Sequence, residues 1–241
     1  GIPDILDEAR NEVDFWLNLR DGAGYGHGLN NPNNSNVFYQ AGITPMAAWA
    51  NAANASMLAN CFMLAGINDL RDYYTNAAVT AYNYASGLPD QMLSTTQGIG
   101  DRTIRGKDLK MMAAAYLYNL TGNTAYEDMM NSLSDITSTS STVASSSRNQ
   151  LWACAAYLKT KRTVHYSTLF SNMKASVINE AKSQETDFSS SRPTRRATDN
   201  SMGSWWKTAQ NVERSVVAHA VADSNSDKTL FENALVLEAD W

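Results

Sequence analysis

Three segments of this 241-residue chain carry residue types whose spacing suits work on a ligand. The first is Asp21-Gly22-Ala23-Gly24-Tyr25-Gly26-His27-Gly28, where four glycines surround a tyrosine and a histidine. So many glycines suit a backbone that passes close to something, which would place Tyr25 and His27 at a site, or else a turn that is merely flexible. The second is Gly203-Ser204-Trp205-Trp206, at the start of a helical pattern. Two adjacent indoles cannot both face one core, so at least one should project into a groove, where its plane can stack on the apolar face of a pyranose ring. The plainer alternative is one core and one rim tryptophan. The third is Arg192, Arg195 and Arg196, a cluster able to clamp an acidic group or simply to stand solvated.

Other chemistries find no support. There is no Gly-x-Ser-x-Gly, no His-Glu-x-x-His and no phosphate-binding loop, since Gly106-Lys107 runs into Asp108. His27, His165 and His219 lie far apart without ligand spacing, and Cys61 and Cys154 sit in helical patterns outside any Cys-x-x-Cys arrangement. No metal and no cofactor are therefore expected, and both cysteines read as buried thiols. His219, among valines and alanines, reads as a core or groove histidine, and His165 as a solvated corner residue. The carboxylate pairs Asp101 with Asp108, or Asp187 with Asp199, would serve glycoside hydrolysis only at a separation of about 5–10 Å, which sequence spacing does not give. No catalytic residue is assigned. A net charge of −5 argues against tracking nucleic-acid phosphates. No apolar run reaches the ~20 residues of a membrane span, so neither nucleic acid nor membrane is an expected partner.

The elements that must position these residues are helical. Hydrophobic residues make up 44% of the chain and charged ones 18%, a globular balance. Apolar positions recur near a period of 3.6 and clean alternation is almost absent, which predicts an all-α fold. The first helix opens at Pro3-Asp4, with Asp4 as an acidic N-cap, and places Ile5, Ala9, Val13, Trp16 and Leu17 on one face. The second, 46–65, carries eight alanines and should be buried on most sides. Further helices are predicted at 68–86, 107–120, 124–134, 147–160, 166–184, 204–222 and 228–241.

Gly66 and Gly122 read as caps just past apolar helix ends, and 158–166 and 222–231 turn the chain in equivalent places without a glycine. Such corners imply stacked antiparallel pairs, a helical-hairpin (α/α) toroid formed by 1–241 as a single domain. An odd number of helices makes that toroid incomplete. The longer polar loops 21–44, 87–106, 135–146 and 185–203 would gather at one end and build the site. The Ser/Thr tract 137–147 could instead be a linker, although helical pattern resumes on both sides.

Four segments occur in a familiar order. Gly1-Ile2-Pro3-Asp4-Ile5-Leu6-Asp7-Glu8-Ala9-Arg10 leads to Phe15-Trp16-Leu17, and Asp21-Gly22 runs to His27. Arg105-Gly106-Lys107-Asp108-Leu109 leads through an alanine-rich stretch to Leu117-Tyr118 and Thr121-Gly122-Asn123. Trp205-Trp206 precedes a long helix and then Phe231-Glu232-Asn233-Ala234-Leu235. This collinear series resembles the interior of the catalytic module of family nine glycoside hydrolases, the cellulase-type endoglucanases and cellodextrinases. The resemblance implies a toroid of six helical hairpins with an open cleft, where an aspartate base activates water and a glutamate acid protonates the leaving oxygen with inversion. It implies that His27 and Trp206 line the cleft and contact a β-1,4-glucan oligosaccharide; Tyr25 and Trp205, from their place beside them, are further substrate-binding candidates.

The departures matter as much. The family's Asp-x-Gly-Asp base motif matches sequence upstream of Gly1, its acid motif matches sequence beyond Trp241, and Gln210 stands near a position where many members carry a cleft arginine. The expectation is thus a truncated portion of an extracellular or periplasmic β-glucan hydrolase, with a cleft wall but no catalytic pair, inactive by itself. A homodimer would cover the open edge. The alternatives are a non-catalytic helical-hairpin carbohydrate-binding or interaction module, and a toroid enzyme for acidic sugars that uses the arginine cluster.

Overall fold

The predicted helical pattern is realised as nine α-helices among the described residues of the computed structural model, which are 1–26, 29–30, 39–40, 42–99, 102–186 and 212–239. The chain divides into two compact units, one of Gly1–Leu133 with Ser146–Asn149, the other of Ser134–Ser145 with Gln150–Trp241.

The first unit holds α1 (Asp4–Asn18), α2 (Pro45–Leu64), α3 (Asn68–Ser86), α4 (Gly106–Thr121) and α5 (Thr124–Leu133). It also holds three antiparallel ribbons: β1 (Arg20–Asp21) with β2 (Gly24–Tyr25), β3 (Leu29–Asn30) with β4 (Tyr39–Gln40), and β5 (Thr96–Ile99) with β6 (Arg102–Arg105). α2 is the central element. Thr44 caps it by accepting a hydrogen bond from the Ala47 N–H at 3.2 Å, with Pro45 at the first helical position. Its alanines let α1, α3 and α4 approach closely, and Trp49 and Phe62 are fully buried between them. Gly66, at φ +74°, closes the helix, as the Ile67 N–H reaches the Phe62 carbonyl and the Gly66 N–H reaches that of Met63. Gly122, at φ +72°, ends α4 in the same left-handed region. Both glycine corners are as the sequence predicts.

α1 differs in two respects. Asp4 does not cap it: the N-cap is Pro3, whose carbonyl accepts from Leu6 and Asp7, so Asp4 lies within the first turn near the positive end of the helix. Ile5 is 79% exposed, and the inward stripe runs instead through Leu6, Ala9, Val13 and Leu17. This face packs on α2, and the Tyr74 hydroxyl of α3 donates to Asp14 at 2.7 Å.

The second unit holds α6 (Leu151–Leu158), α7 (Ser167–Glu185), α8 (Glu213–Val221) and α9 (Asn225–Ala239), with successive helices packed together. The helix predicted from 147 begins only at Leu151, because 148–149 are extended. Of the helix predicted at 204–222, the part before 212 lies outside the described residues. The Ser/Thr tract is tied to α7: Ser176 donates to the Ser138 carbonyl at 2.9 Å, and Glu180 accepts from the N–H groups of Val143 and Ala144. Cys61 and Cys154 are free thiols on α2 and α6, half-buried and buried, and burial pushes both up.

Candidate functional site

The first unit contains a cleft of about 280 Å³, and each of its walls has a local cause. α2 supplies Met46, Ala47, Ala50, Asn51 and Asn54, positions three and four apart on one face near its N-terminal end. Trp16 comes from the last turn of α1, and Leu109 from the first turn of α4. Gln97 and Ile104 are directly paired across β5 and β6, so both side chains stand on the same face of the ribbon. Gly26 completes the wall.

The ribbon is held from below. Trp49 donates from Nε1 to the Gln91 carbonyl at 2.9 Å, and the Lys110 ammonium donates to the Gln91 side chain at 2.8 Å. That ammonium lies 4.8 Å from the Trp49 ring centre, a cation–π contact, and burial pushes Lys110 below the usual lysine range. Gly106 begins α4 directly against the Met92 carbonyl, and a Cβ there would stand 2.3 Å from that oxygen. Only glycine lets the start of α4 meet the backbone of Met92 and Leu93 so closely.

The glycine-rich loop is explained in part by its own packing. Gly22, at φ +56°, turns β1 into β2, and a Cβ on Gly24 would meet the Ile43 side chain at 2.7 Å. The close approach is thus to Ile43, while Gly26 bridges to Ile43 and reaches the cleft. Tyr25 is fully buried beneath Arg20, whose guanidinium lies 4.2 Å from its ring centre, and packs edge-on against Tyr84. Burial raises the Tyr25 phenol, with Arg20 opposing, and its hydroxyl has no partner among the described residues. It does not line the cleft.

His27, Trp205 and Trp206 lie outside the described residues, as do Arg192, Arg195, Arg196, Asp101, Asp187, Asp199 and Gln210. Of the carboxylates singled out in the sequence, Asp108 is buried and engaged: Arg105 grips it with two hydrogen bonds of 2.7 and 2.6 Å, and the Asn149 N–H donates to it at 3.1 Å. It holds the start of α4. His219 is half-buried on α8. Among the described residues no group of His, Cys, Asp and Glu is placed to hold a metal ion.

Sequence reasoning missed Asn51. It is 4% exposed, its Nδ2 donates to the Ala47 carbonyl at 2.9 Å, and its Oδ1 has no partner among the described residues. Because a carbonyl can only accept, that bond fixes which end of the amide faces away. A run of alanines interrupted by Asn51 and Asn54 is the only trace in the sequence.

Solved structures place this architecture. A family 9 glycoside hydrolase from Bacteroides ovatus superposes with a TM-score of 0.72 at 18% identity, covering 98% of this chain and 48% of its own. A metagenome-derived family 9 endoglucanase gives 0.72 at 19% identity, covering 100% and 46%. Its fold is that of the family 9 glycoside hydrolases. A thermostable endoglucanase from Alicyclobacillus acidocaldarius superposes with a TM-score of 0.65 at 17% identity over 97% of this chain and 47% of its own. The all-α helical-hairpin fold is therefore as expected, and the chain spans about half the length of these family 9 structures. The sequence matches no family model and no curated protein.

Proposed function

We propose that residues 1–241 are a portion of an inverting β-1,4-glucan hydrolase, acting as one all-α module that supplies a wall of the substrate cleft and not the catalytic pair. The observation that carries this reading is the family 9 fold over essentially the whole chain, at TM-scores up to 0.72. One solved relative of the same fold is in complex with a cellobiose-like isofagomine, which supports a cellooligosaccharide as the ligand class. His27, Trp205 and Trp206 are the proposed sugar contacts, and Tyr25, buried under Arg20, steadies the loop that ends in His27.

An extracellular or periplasmic site of action belongs to the same reading, and no helix among the described residues is long and apolar enough to cross a membrane. A second copy of the chain is the proposed partner for exposed apolar side chains such as Ile5 and Phe15, and sedimentation tests it. The function is tested by titrating the protein with cellotetraose while assaying reducing ends in the same preparation. Binding without turnover is expected. Turnover that disappears when an internal carboxylate is replaced would place a catalytic pair inside 1–241, and absence of binding would remove the glucan reading.

A further inference from the structure

We propose that residues 87–95, the strap between α3 and β5, form a latch on the cleft wall, which Lys110 biases toward release while its amine is charged and toward closure once it is neutral. The strap leads directly into β5, whose Gln97 stands in that wall, so the position of one sets the position of the other. A single residue fastens it to three helices. The Gln91 carbonyl accepts from Trp49 Nε1 of α2 at 2.9 Å, and its side-chain oxygen accepts from Lys110 Nζ of α4 at 2.8 Å. Its Nε2 donates to the Ser86 carbonyl, at the end of α3, at 3.0 Å. Three backbone bonds then mark the closed position: Thr95 N–H to the Met92 carbonyl, Gly106 N–H to that of Thr95, and Lys107 N–H to that of Leu93.

Two features of the closed strap work against it. Met92 sits at φ +50°, a left-handed conformation that a side chain disfavours. Lys110 is 5% exposed, and its ammonium has only the Gln91 amide oxygen and two ring faces, Trp49 at 4.8 Å and Tyr82 of α3 at 6.0 Å. Tyr126 of α5 stands edge-on behind Tyr82, and burial pushes both phenols up, so neither is charged where the amine titrates. No carboxylate among the described residues pairs with the ammonium. These contacts replace less than the water the cation gave up, which is why burial holds Lys110 below the usual lysine range. A segment that carries such costs and hangs on one residue opens as a unit, returning the ammonium to water and Met92 to ordinary backbone. Since the closed strap favours the neutral amine and the open strap the charged one, opening falls as pH rises from the lowered value to the ordinary one. The inference rests on the proposed function only for what meets the cleft wall; the latch follows from Gln91, Met92 and Lys110 themselves.

The test follows millisecond hydrogen exchange of the peptides carrying Thr95, Gly106 and Lys107 between about pH 8 and about pH 10.5, in the wild-type chain, Lys110→Met and Lys110→Arg. Methionine keeps the stem without a charge, and arginine stays charged throughout. Exchange is compared as ratios at each pH, so that the chemistry of the amides cancels. The ratio of wild type to Lys110→Met should fall several-fold as pH rises, by the ratio of the amine's acid constants in the closed and open strap. The ratio of Lys110→Arg to Lys110→Met should stay flat, and peptides from α1 should show no such trend. A wild-type ratio that is flat with pH, or that falls equally in the α1 peptides, overturns the latch; should a variant fold poorly, the wild-type strap read against its own α1 peptides decides the same question. Cellotetraose should slow the three amides, and binding that leaves them unchanged overturns the latch's place on the cleft wall. If cellotetraose fails to bind while the pH response persists, the hydrolase reading fails and the latch stands. If it binds and the wild-type ratio is flat, the latch fails and the hydrolase reading stands.

Discussion

Two buried polar arrangements, one in each unit, are built from similar material and end differently. In the second unit, Glu180 and Glu185 of α7 close on Arg214 of α8. Arg214 donates to Glu180 at 2.6 Å, to Glu185 at 3.1 Å and to the Ala144 carbonyl at 2.8 Å. The same carboxylates take the Val143 and Ala144 N–H groups, and the Arg214 and Ser215 N–H groups at the open start of α8. The two glutamates have their acceptor sites engaged there, and Glu185 caps α8 from another helix. In the first unit, Asn51 is just as dry, its Nδ2 bonded to the Ala47 carbonyl and its Oδ1 buried with no partner among the described residues. The contrast separates two outcomes of burial: carboxylates met by an arginine and by backbone N–H groups from another helix tie elements together, whereas a lone amide on an alanine-rich helix is held only by its own helix.

Breaking the Arg214 cluster should have the largest effect. Arg214→Ala strands two buried carboxylates, 7% and 1% exposed, and is expected to cost about 3–5 kcal/mol, read as a fall in the urea midpoint. Gly106→Ala comes next, at about 2–3 kcal/mol, since its Cβ must displace the Met92 backbone and not a side chain that can turn away. A loss below the error of the denaturation curve would show that the Met92–Leu93 backbone and the start of α4 separate freely.

The pH response sharpens the comparison further. Burial raises Glu185 above the ordinary glutamate value, against the pull of the Ser215 N–H and Arg214. The folded protein therefore holds a proton there that the unfolded chain has already lost. Between the ordinary value and the raised one, this group's contribution to stability falls as pH rises, and it is constant on either side. Glu185→Gln should remove that slope, so the difference between the two proteins' urea midpoints should vary with pH only in this window. Equal slopes would mean that the carboxylate is not desolvated. The smallest effect is expected at the surface, where Lys174 meets the exposed Asp223 at 2.7 Å: Lys174→Met should melt with the wild type, and less still should change at high salt.

How much of this was legible follows from which forces are local. Gly66 and Gly122 could be read as helix ends because a left-handed residue after an apolar helix is a demand of the backbone itself. The burial of α2 could be read from its alanines, since no side of that helix is polar enough to face water throughout. The order of loose motifs carried the fold. By contrast, the outward face of Ile5 depended on how α1 packs on α2 and meets α3, where the Tyr74 hydroxyl donates to Asp14 sixty positions away.

The glycine loop shows both sides at once. Its composition announced a close approach, but only packing decided that Gly24 meets Ile43 and that Tyr25 turns under Arg20. The cap that Glu185 lends α8 is invisible to spacing for the same reason: its partners come from 29 and 30 residues away. By itself the sequence determined the helices, their corners and the family they resemble, because periodicity and glycine conformation act within a few residues. Only the tertiary structure decided which buried polar groups find partners among the described residues and that Asn51 Oδ1 does not, because a hydrogen-bond partner for a side chain is set by what folds against it.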